Sequence, residues 1–426
     1  MRTWPGVPST VSRMDFNFED FDHPMRTTVR EWIAQNPKPS FQDLADAGFV
    51  APHWPRPHGL QADPLEQLVI DQELKQAGIR RPSNAIAIGW AGPTILHAGS
   101  EEQINTYLPK MLSGEEIWCQ MFSEPDAGSD LASLSTRAVR DGDEYIINGS
   151  KIWTSGGHES KYGILLARTN TEVSKHRGIS YFICPTDLPG LTMTPVIDMT
   201  TAHSFNQVFF DDVRLPASML VGQEGYGWRL AKVTLSNERV QLSASGSLWG
   251  AGPSAGHLIE TVRASGGTED VLVRQKLARL HCNAEVLRLN RLRTLSSRLA
   301  GKTPGPEASI QKIMADEHGQ EVMELAKELA GSAGMLAGSG PVGELPIHAQ
   351  TGATEINNLG GITEGVDPVW HYGYLFSPAL TLGGGTFAVQ RNIVAEKVLG
   401  LPREPDVEKG LSWSDTKTKT RSADAG

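Results

Sequence analysis

The stretches FSEPDAGSD (122–130) and DGDEYIINGSKIWTSGG (141–157) decide how this chain is read. The first carries the hydroxyls of Ser123 and Ser129 around a turn through Ala127 and Gly128 whose backbone N–H groups stay open, which suits a pyrophosphate. Taken alone, so short a motif is equally a plain turn between two elements. The second stretch runs through EYIIN and KIWTS, and sets the flat indole of Trp153 two positions before the hydroxyl of Ser155. The pair in this order says more than either part.

From about Cys119 to Gly225 the surrounding sequence keeps a strand pattern, in YGILLART, GISYFICPT, LTMTPVID and NQVFFDDV. Asp141-Gly142 and Asn148-Gly149 read as turns, the second as a strong hairpin signal. No helical crossover intervenes, so an antiparallel barrel or sandwich of about a hundred residues is expected. On the N-terminal side PMRTTVREWIAQ (24–35), PLEQLVIDQELKQAG (64–78) and EEQINTYLPKMLSG (101–114) read as helices. In the second of these Ile70, Leu74 and Ala77 share a face, and Gly78 follows as a C-cap. AIAIGWAGPTIL (85–96) reads as a buried helix broken near Pro93.

On the C-terminal side residues 272–301 and 306–334 form long amphipathic stretches, enough for a bundle. Glycine-rich 335–370 reads as a long loop or lid. The fold class expected is mainly α with a central β-barrel domain. The division is a helical domain over 17–118, a barrel over 119–225, a helical bundle over 226–404 and a disordered polar tail over 405–426.

Composition sets the outer limits. With 426 residues the chain has room for about three domains at roughly 150 residues each. A net charge of −10 argues against nucleic acid or an anionic membrane as the main partner, since both require a basic footprint. No apolar run approaches a membrane span, and MRTWPGVPSTVSRM lacks the apolar core of a secretory signal. Cys119, Cys184 and Cys282 are scattered without metal-type spacing, so no metal is expected and a reducing cytoplasm suits them.

The two opening stretches resemble the signatures of the acyl-CoA dehydrogenase family: a Thr/Ser-Glu-Pro-x-Ala-Gly-Ser-Asp segment, a strand ending in Asn-Gly-x-Lys, then Trp-x-Thr/Ser. KHRGIS (175–180), VFFDDVRLP (208–216), GQEGYGW (222–228) and QRNIVAEKVLGLPRE (390–404) extend the resemblance over about residues 17–404. It implies a helical N-domain, a β-barrel and a C-terminal four-helix bundle, with FAD between barrel and bundle. By position, Phe122, Ser123, Gly128 and Ser129 would lie along the cofactor, Trp153 would stack on its ring, and Ser155 would sit near N5. Gln275 and Thr386 match further cofactor positions, and Ser129, Arg239 and Gly384 fall at the substrate. The activity implied is α,β-desaturation of an acyl-CoA thioester, with an electron-transfer flavoprotein as acceptor.

Most family members carry the catalytic base in a Tyr-Glu-Gly-Thr loop, but TLGGGTFAVQR (381–391) puts Gly384 at that position. Glycine takes no proton. A minority carries the base on the first bundle helix before an arginine, and here LAKVTLSNERVQLSAS (230–245) has Glu238-Arg239. An isolated Glu-Arg pair is ordinarily a solvated face. Here Ala231, Leu235 and Leu242 share a helical stripe that includes Glu238, while Leu230, Val233, Val240 and Ala244 form another. A carboxylate on such a helix is desolvated, which raises its basicity.

The family's Arg-x-x-Phe-Gly, whose arginine reaches FAD in a neighbouring subunit, is missing from RASGGTEDVLVRQ (263–275), where Arg263 and Arg274 are the possible substitutes. That departure resembles actinobacterial-type dehydrogenases of steroid side chains, some of which are heterotetramers of two related chains. A homo- or heterotetramer is therefore expected. Two alternatives stay open: an acyl-CoA oxidase or flavin monooxygenase on the same fold, and a non-catalytic partner subunit of a heteromeric dehydrogenase.

Overall fold

A computed structural model of the chain describes residues 23–242, 248, 252–299, 305–335, 340–341, 355–356 and 368–424. The N-terminal part consists of α1 (Pro24–Gln35), α2 (Phe41–Asp46), α3 (Pro64–Gln76), α4 (Gly92–Ala98) and α5 (Glu101–Leu112). Local chemistry starts these helices. Ser40, Asp63 and Ser100 each close a capping box, and proline occupies the first turn of α1 and α3. Gly78 takes φ +70° just past α3, as the C-cap reading requires, while Ile70 and Leu74 are buried and Ala77 is exposed. The expected break at Pro93 is absent. A π-helical turn over Ile86–Ala91 runs directly into α4, and Pro93 falls where the hydrogen-bond pattern changes from π to α.

Seven strands follow: β1 (Trp118–Met121), β2 (Arg137–Asp141), β3 (Glu144–Ser155), β4 (Tyr162–Arg168), β5 (Ile179–Pro185), β6 (Leu191–Val196) and β7 (Phe205–Pro216). They form one curled sheet in the order β1-β4-β2-β3-β7-β6, with β5 along β4. The pairing is not wholly antiparallel as expected, because β1 and β2 both run parallel to β4. Asn148-Gly149 is not a turn either. It lies inside β3 at a register shift, where Gly149 has φ +146° and an added Cβ would meet Thr136 at 2.6 Å. The glycine marks a bulge and a close approach, and the tight turn is at Gly142.

The buried strands alternate between two cores. Cys119, Met121, Leu165, Ala167, Phe182 and Cys184 fill the concave side of the sheet. Trp118, Phe122, Ile164, Leu166, Tyr181 and Ile183 join a larger core with the helices. The sheet is thus a septum between a barrel interior and a helical layer.

The bundle contains α6 (Gly227–Leu242), α7 (Ala255–Ala264), α8 (Val271–Leu299), α9 (Ala308–Leu329), α10 (Pro368–Phe376) and α11 (Phe387–Ile393). Helix α9 packs against α6, α8, α10 and α11. Its Lys312 and Asp316 form a buried ion pair at 2.5 Å, and the Lys312 ammonium also donates to the Leu380 carbonyl at 3.1 Å. Burial, opposed by the Lys312 charge, pushes the Asp316 carboxyl up to about 7 from 3.8. A native carboxyl with a raised pKa holds a proton that the unfolded chain has released. Stability from this group therefore declines as pH rises from 3.8 towards about 7. Asp316→Asn is expected to flatten that slope, read from melting temperature against pH. The expected loop or lid at 335–370 lies almost wholly outside the described residues.

The segment expected to be disordered is not. It carries α12 (Trp413–Asp424), preceded by a strap docked on the barrel. The Trp413 and Ser414 N–H groups donate to Val173 and Thr171 at 2.9 and 3.1 Å, and the Arg168 guanidinium lies 4.6 Å from the Trp413 ring. Lys175 bridges Asp130 at 3.0 Å and Glu408 at 2.6 Å. Polarity concealed these contacts, which are cation–π, backbone and ionic rather than apolar.

Candidate active site

Two regions of chemistry meet where barrel and bundle face each other. The first is the end of β3. The β3–β7 register slips between Lys151 and Thr154, and Trp153 takes φ +61°, a conformation costing a bulky L residue about 1–3 kcal/mol. The bulge turns the indole out of the sheet. It is 56 % exposed and the Phe205 ring stands edge-on to it at 5.8 Å. Ser155 is buried beside it and pairs in register with Phe205.

Residues 122–130 lie along the same edge. Phe122 is buried, and the Ser123 carbonyl accepts from the Ile152 N–H at 2.9 Å, which fixes the segment to β3. Gly128 and Ser129 stand exposed on the turn. Glu124 and Lys151 form a buried ion pair at 2.8 Å. The Glu124 carboxylate also accepts from Ser135 and Thr136 N–H at 2.6 and 2.9 Å, and Lys151 donates to the Phe122 carbonyl at 3.0 Å. Burial alone would raise the Glu124 carboxyl, but the Lys151 charge and these donors hold it below its usual value. This pair explains in physical terms why the two opening stretches belong together.

The second region is α6. Glu238 is 6 % exposed, and its Oε2 accepts from Gln120 Nε2 of β1 at 3.3 Å. One turn earlier the buried Thr234 hydroxyl lies 2.8 Å from Thr94 Oγ1 and 3.1 Å from Tyr181 OH. These hydroxyls fasten α6 to α4 and β5, so the carboxylate is carried by a fixed backbone. Ala231 and Leu230 are buried as the two stripes predict. The Arg239 side chain lies outside the described residues. Sequence reading missed Gln120, Thr94, Thr234 and Tyr181. The available signal for Gln120 was one amide in the otherwise apolar run Trp118–Met121.

The remaining expected residues are spread more widely. Gly384 has φ +68° and Gly385 +91°, and Gln390 Nε2 donates to the Gly384 carbonyl at 2.7 Å. Thr386 caps α11 by accepting from the Val389 N–H. Gln275 is exposed on α8, away from the buried groups above. Arg263 pairs with Glu260 at 2.6 Å, and Arg274 donates to the Thr268 and Glu269 carbonyls at 2.8 and 2.9 Å. Both arginines are thus engaged locally at the surface.

A cleft of about 320 Å³ opens at the junction, lined by Met199 of the β6–β7 loop, Gln320 and Glu324 of α9, and Tyr374, Leu375, Ser377 and Pro378. At the same end of the sheet Thr154 Oγ1 and Ser204 Oγ are buried and make no hydrogen bond among the described residues, and neither does Tyr372 OH of α10. Orphaned buried hydroxyls and an outturned indole at the end of β3 fit a ring-bearing cofactor with polar atoms, whereas the residues lining the cleft include none of those expected at the cofactor. Among the described residues no cluster of three or more His, Cys, Asp or Glu is arranged for a metal, and no helix is long and apolar enough to cross a membrane.

Three family models match the chain in order: the acyl-CoA dehydrogenase N-terminal domain over residues 21–115, the middle domain over 119–213 and the C-terminal domain over 225–399. The chain belongs to the acyl-CoA dehydrogenase family, whose members are FAD-dependent oxidoreductases. It is 38 % identical over 362 residues to acyl-CoA dehydrogenase FadE34 of Mycobacterium tuberculosis, covering 84 % of this chain but only 46 % of that protein. The chain thus spans about half the length of that relative. With acyl-CoA dehydrogenase IpdE1 of Mycolicibacterium smegmatis it shares 33 % identity over 413 residues, 89 % of this chain and 97 % of the relative. Among solved structures, the ChsE4–ChsE5 complex of Mycobacterium tuberculosis superposes with a TM-score of 0.69 at 31 % identity, covering 90 % of this chain and 99 % of its own. FAD is the cofactor of this family.

Proposed function

We propose that the chain desaturates an acyl-CoA thioester between Cα and Cβ, with Glu238 as the base that takes the α-proton. The observation that carries this reading is a nearly buried carboxylate on a pinned helix, in a chain whose usual base position is Gly384. FAD, when bound, would supply the acceptor for the β-hydride. Phe122, Ser123, Gly128, Ser129, Trp153, Ser155 and Thr386 would hold it on the near side, while Gln275, exposed on α8, would face a cofactor in a neighbouring subunit. Ser129, Arg239 and the open backbone at Gly384 would meet the substrate. Its electrons leave to an electron-transfer flavoprotein, and its three free cysteines suit the cytoplasm. The test is anaerobic bleaching of bound flavin by butyryl-, isobutyryl-, octanoyl-, palmitoyl- and steroid-26-oyl-CoA. Reduction by at least one, with fast reoxidation by ferrocenium and slow reoxidation by air, is expected. Fast reaction with air would make it an oxidase instead.

The assembly we propose is a tetramer, with a related second chain as the favoured partner. Arg263 and Arg274 are engaged locally, and the FAD pyrophosphate would be buried without a cation unless a partner supplies one. The ChsE4–ChsE5 neighbour is itself a complex of two chains. Flavin-poor protein when expressed alone is the expected result. Full, tightly held FAD in the isolated chain would support a homotetramer.

Trp153→Ala is expected to weaken FAD retention about tenfold through lost ring stacking, and Ser155→Ala to shift the bound-flavin absorption band. Both should act before the melting temperature moves. Unchanged spectra and retention would reduce the motif to a barrel edge.

A further inference from the structure

We propose that Gln120 is the positioning residue of the base: its amide donates to the Glu238 carboxylate before turnover and accepts from the same group once it carries the α-proton. The inference rests on Glu238 being the base and adds a residue that the family signatures do not include. Gln120 sits between Trp118 and Phe122 on the helix-facing side of β1, a strand held by backbone pairing to β4 through Trp118↔Tyr162 and Met121↔Leu165. Its Nε2 reaches Glu238 Oε2 at 3.3 Å across the barrel–bundle boundary. Its Oε1 is buried and accepts no hydrogen bond among the described residues.

A buried amide with one end satisfied and the other idle is a costly arrangement, and it needs a reason. Glutamine carries a donor and an acceptor on one rotatable group. When the substrate α-proton arrives, Glu238 changes from acceptor to donor, and an N–H facing it would become repulsive. Rotation of the amide by a half turn presents Oε1 to the new O–H. The idle acceptor is therefore the partner of the second protonation state. A lysine or arginine in this place would hold the carboxylate ionised and weaken it as a base.

The titratable groups on elements packed against α6 are Tyr181 and Cys184 of β5, which burial keeps neutral, His97 near the end of α4, and Lys312, Asp316, Glu317, His318, Glu321, Glu324, Lys327 and Glu328 of α9, of which Asp316 itself changes charge at about 7. On α6 itself are Arg229, Lys232, Glu238 and Arg239.

The test compares Gln120→Met, Gln120→Glu and Glu238→Gln with the wild type, as FAD-loaded protein, using whichever acyl-CoA of the panel above bleaches the wild-type flavin. Gln120→Met is expected to slow limiting flavin reduction about tenfold and to move the acid limb of its pH profile up by about one pH unit. Gln120→Glu should move that limb further, because two carboxylates would then share one site. A second readout needs no turnover: the Glu238 carboxyl band, isolated by infrared difference against Glu238→Gln, should titrate higher in both Gln120 variants. Wild-type pH limbs and wild-type infrared titration in both variants would overturn the proposal. So would loss of flavin or melting temperature with an unmoved infrared titration, which marks a merely structural residue. If Glu238→Gln still bleaches normally, or if no acyl-CoA bleaches the wild type, the base assignment fails first and the proposal falls with it. That failure differs from a null result at Gln120 alone.

Discussion

Glu238→Gln folds, keeps its FAD and loses nearly all reduction of the flavin by acyl-CoA: this is the largest kinetic effect expected of any single substitution. The amide is isosteric with the carboxylate, so the packing around a side chain only 6 % exposed is preserved. It cannot take the α-proton, and general-base catalysis is typically worth about 10²–10⁴-fold. The Thr234–Thr94–Tyr181 hydroxyls hold the backbone in either case, which separates loss of chemistry from loss of structure. Stopped-flow reduction under anaerobic conditions measures it, and a rate within a few-fold of wild type would remove Glu238 from the role. Adding Gly384→Glu should recover little. An L side chain there must adopt φ +68°, at a cost of about 1–2 kcal/mol, before any carboxylate reaches the substrate.

The largest stability effect is expected at Lys151→Met. Removing the ammonium leaves the Glu124 carboxylate buried without its ion-pair partner, held by the Ser135 and Thr136 donors, and breaking such a pair typically costs about 3–5 kcal/mol. Chemical denaturation at neutral pH reads the loss directly. Because the folded Glu124 carboxyl is held below its free value of 4.5, the stability it contributes is complete above that pH and disappears as pH falls through the lower folded value. Pairing Lys151→Met with Glu124→Gln should restore part of the stability, since no unpaired charge then remains. Equal instability of the single and double variants would show that packing, not charge, dominates the site.

Much of this architecture is legible in the chain because local rules act alone there. Helices of the N-terminal part begin at Ser40, Asp63 and Ser100, whose side chains satisfy backbone donors within three residues. The two stripes on α6 placed Glu238 inside, and burial agrees. What was not legible depends on distant partners. Asn148-Gly149 looks like a hairpin turn until Thr136, the residue before β2, is brought against it. Residues 405–416 look disordered because their anchors, Arg168 and Lys175, lie far away in sequence. Gln120 looks like a strand residue of no special kind, and only the meeting of β1 with α6 sets its amide against Glu238.

Lys175 has a consequence that reaches beyond packing. One ammonium serves both Asp130, in the turn after Ser129, and Glu408, in the strap that leads to α12. Whatever orders the first carboxylate therefore biases the second, and thermodynamic reciprocity makes the bias equal in both directions. By whatever factor a ligand at the 122–130 turn changes docking of the strap, a docked strap changes the affinity for that ligand by the same factor. Amide hydrogen exchange at Trp413 and Ser414 thus becomes a remote gauge of occupancy at the turn, readable without a chromophore and without turnover.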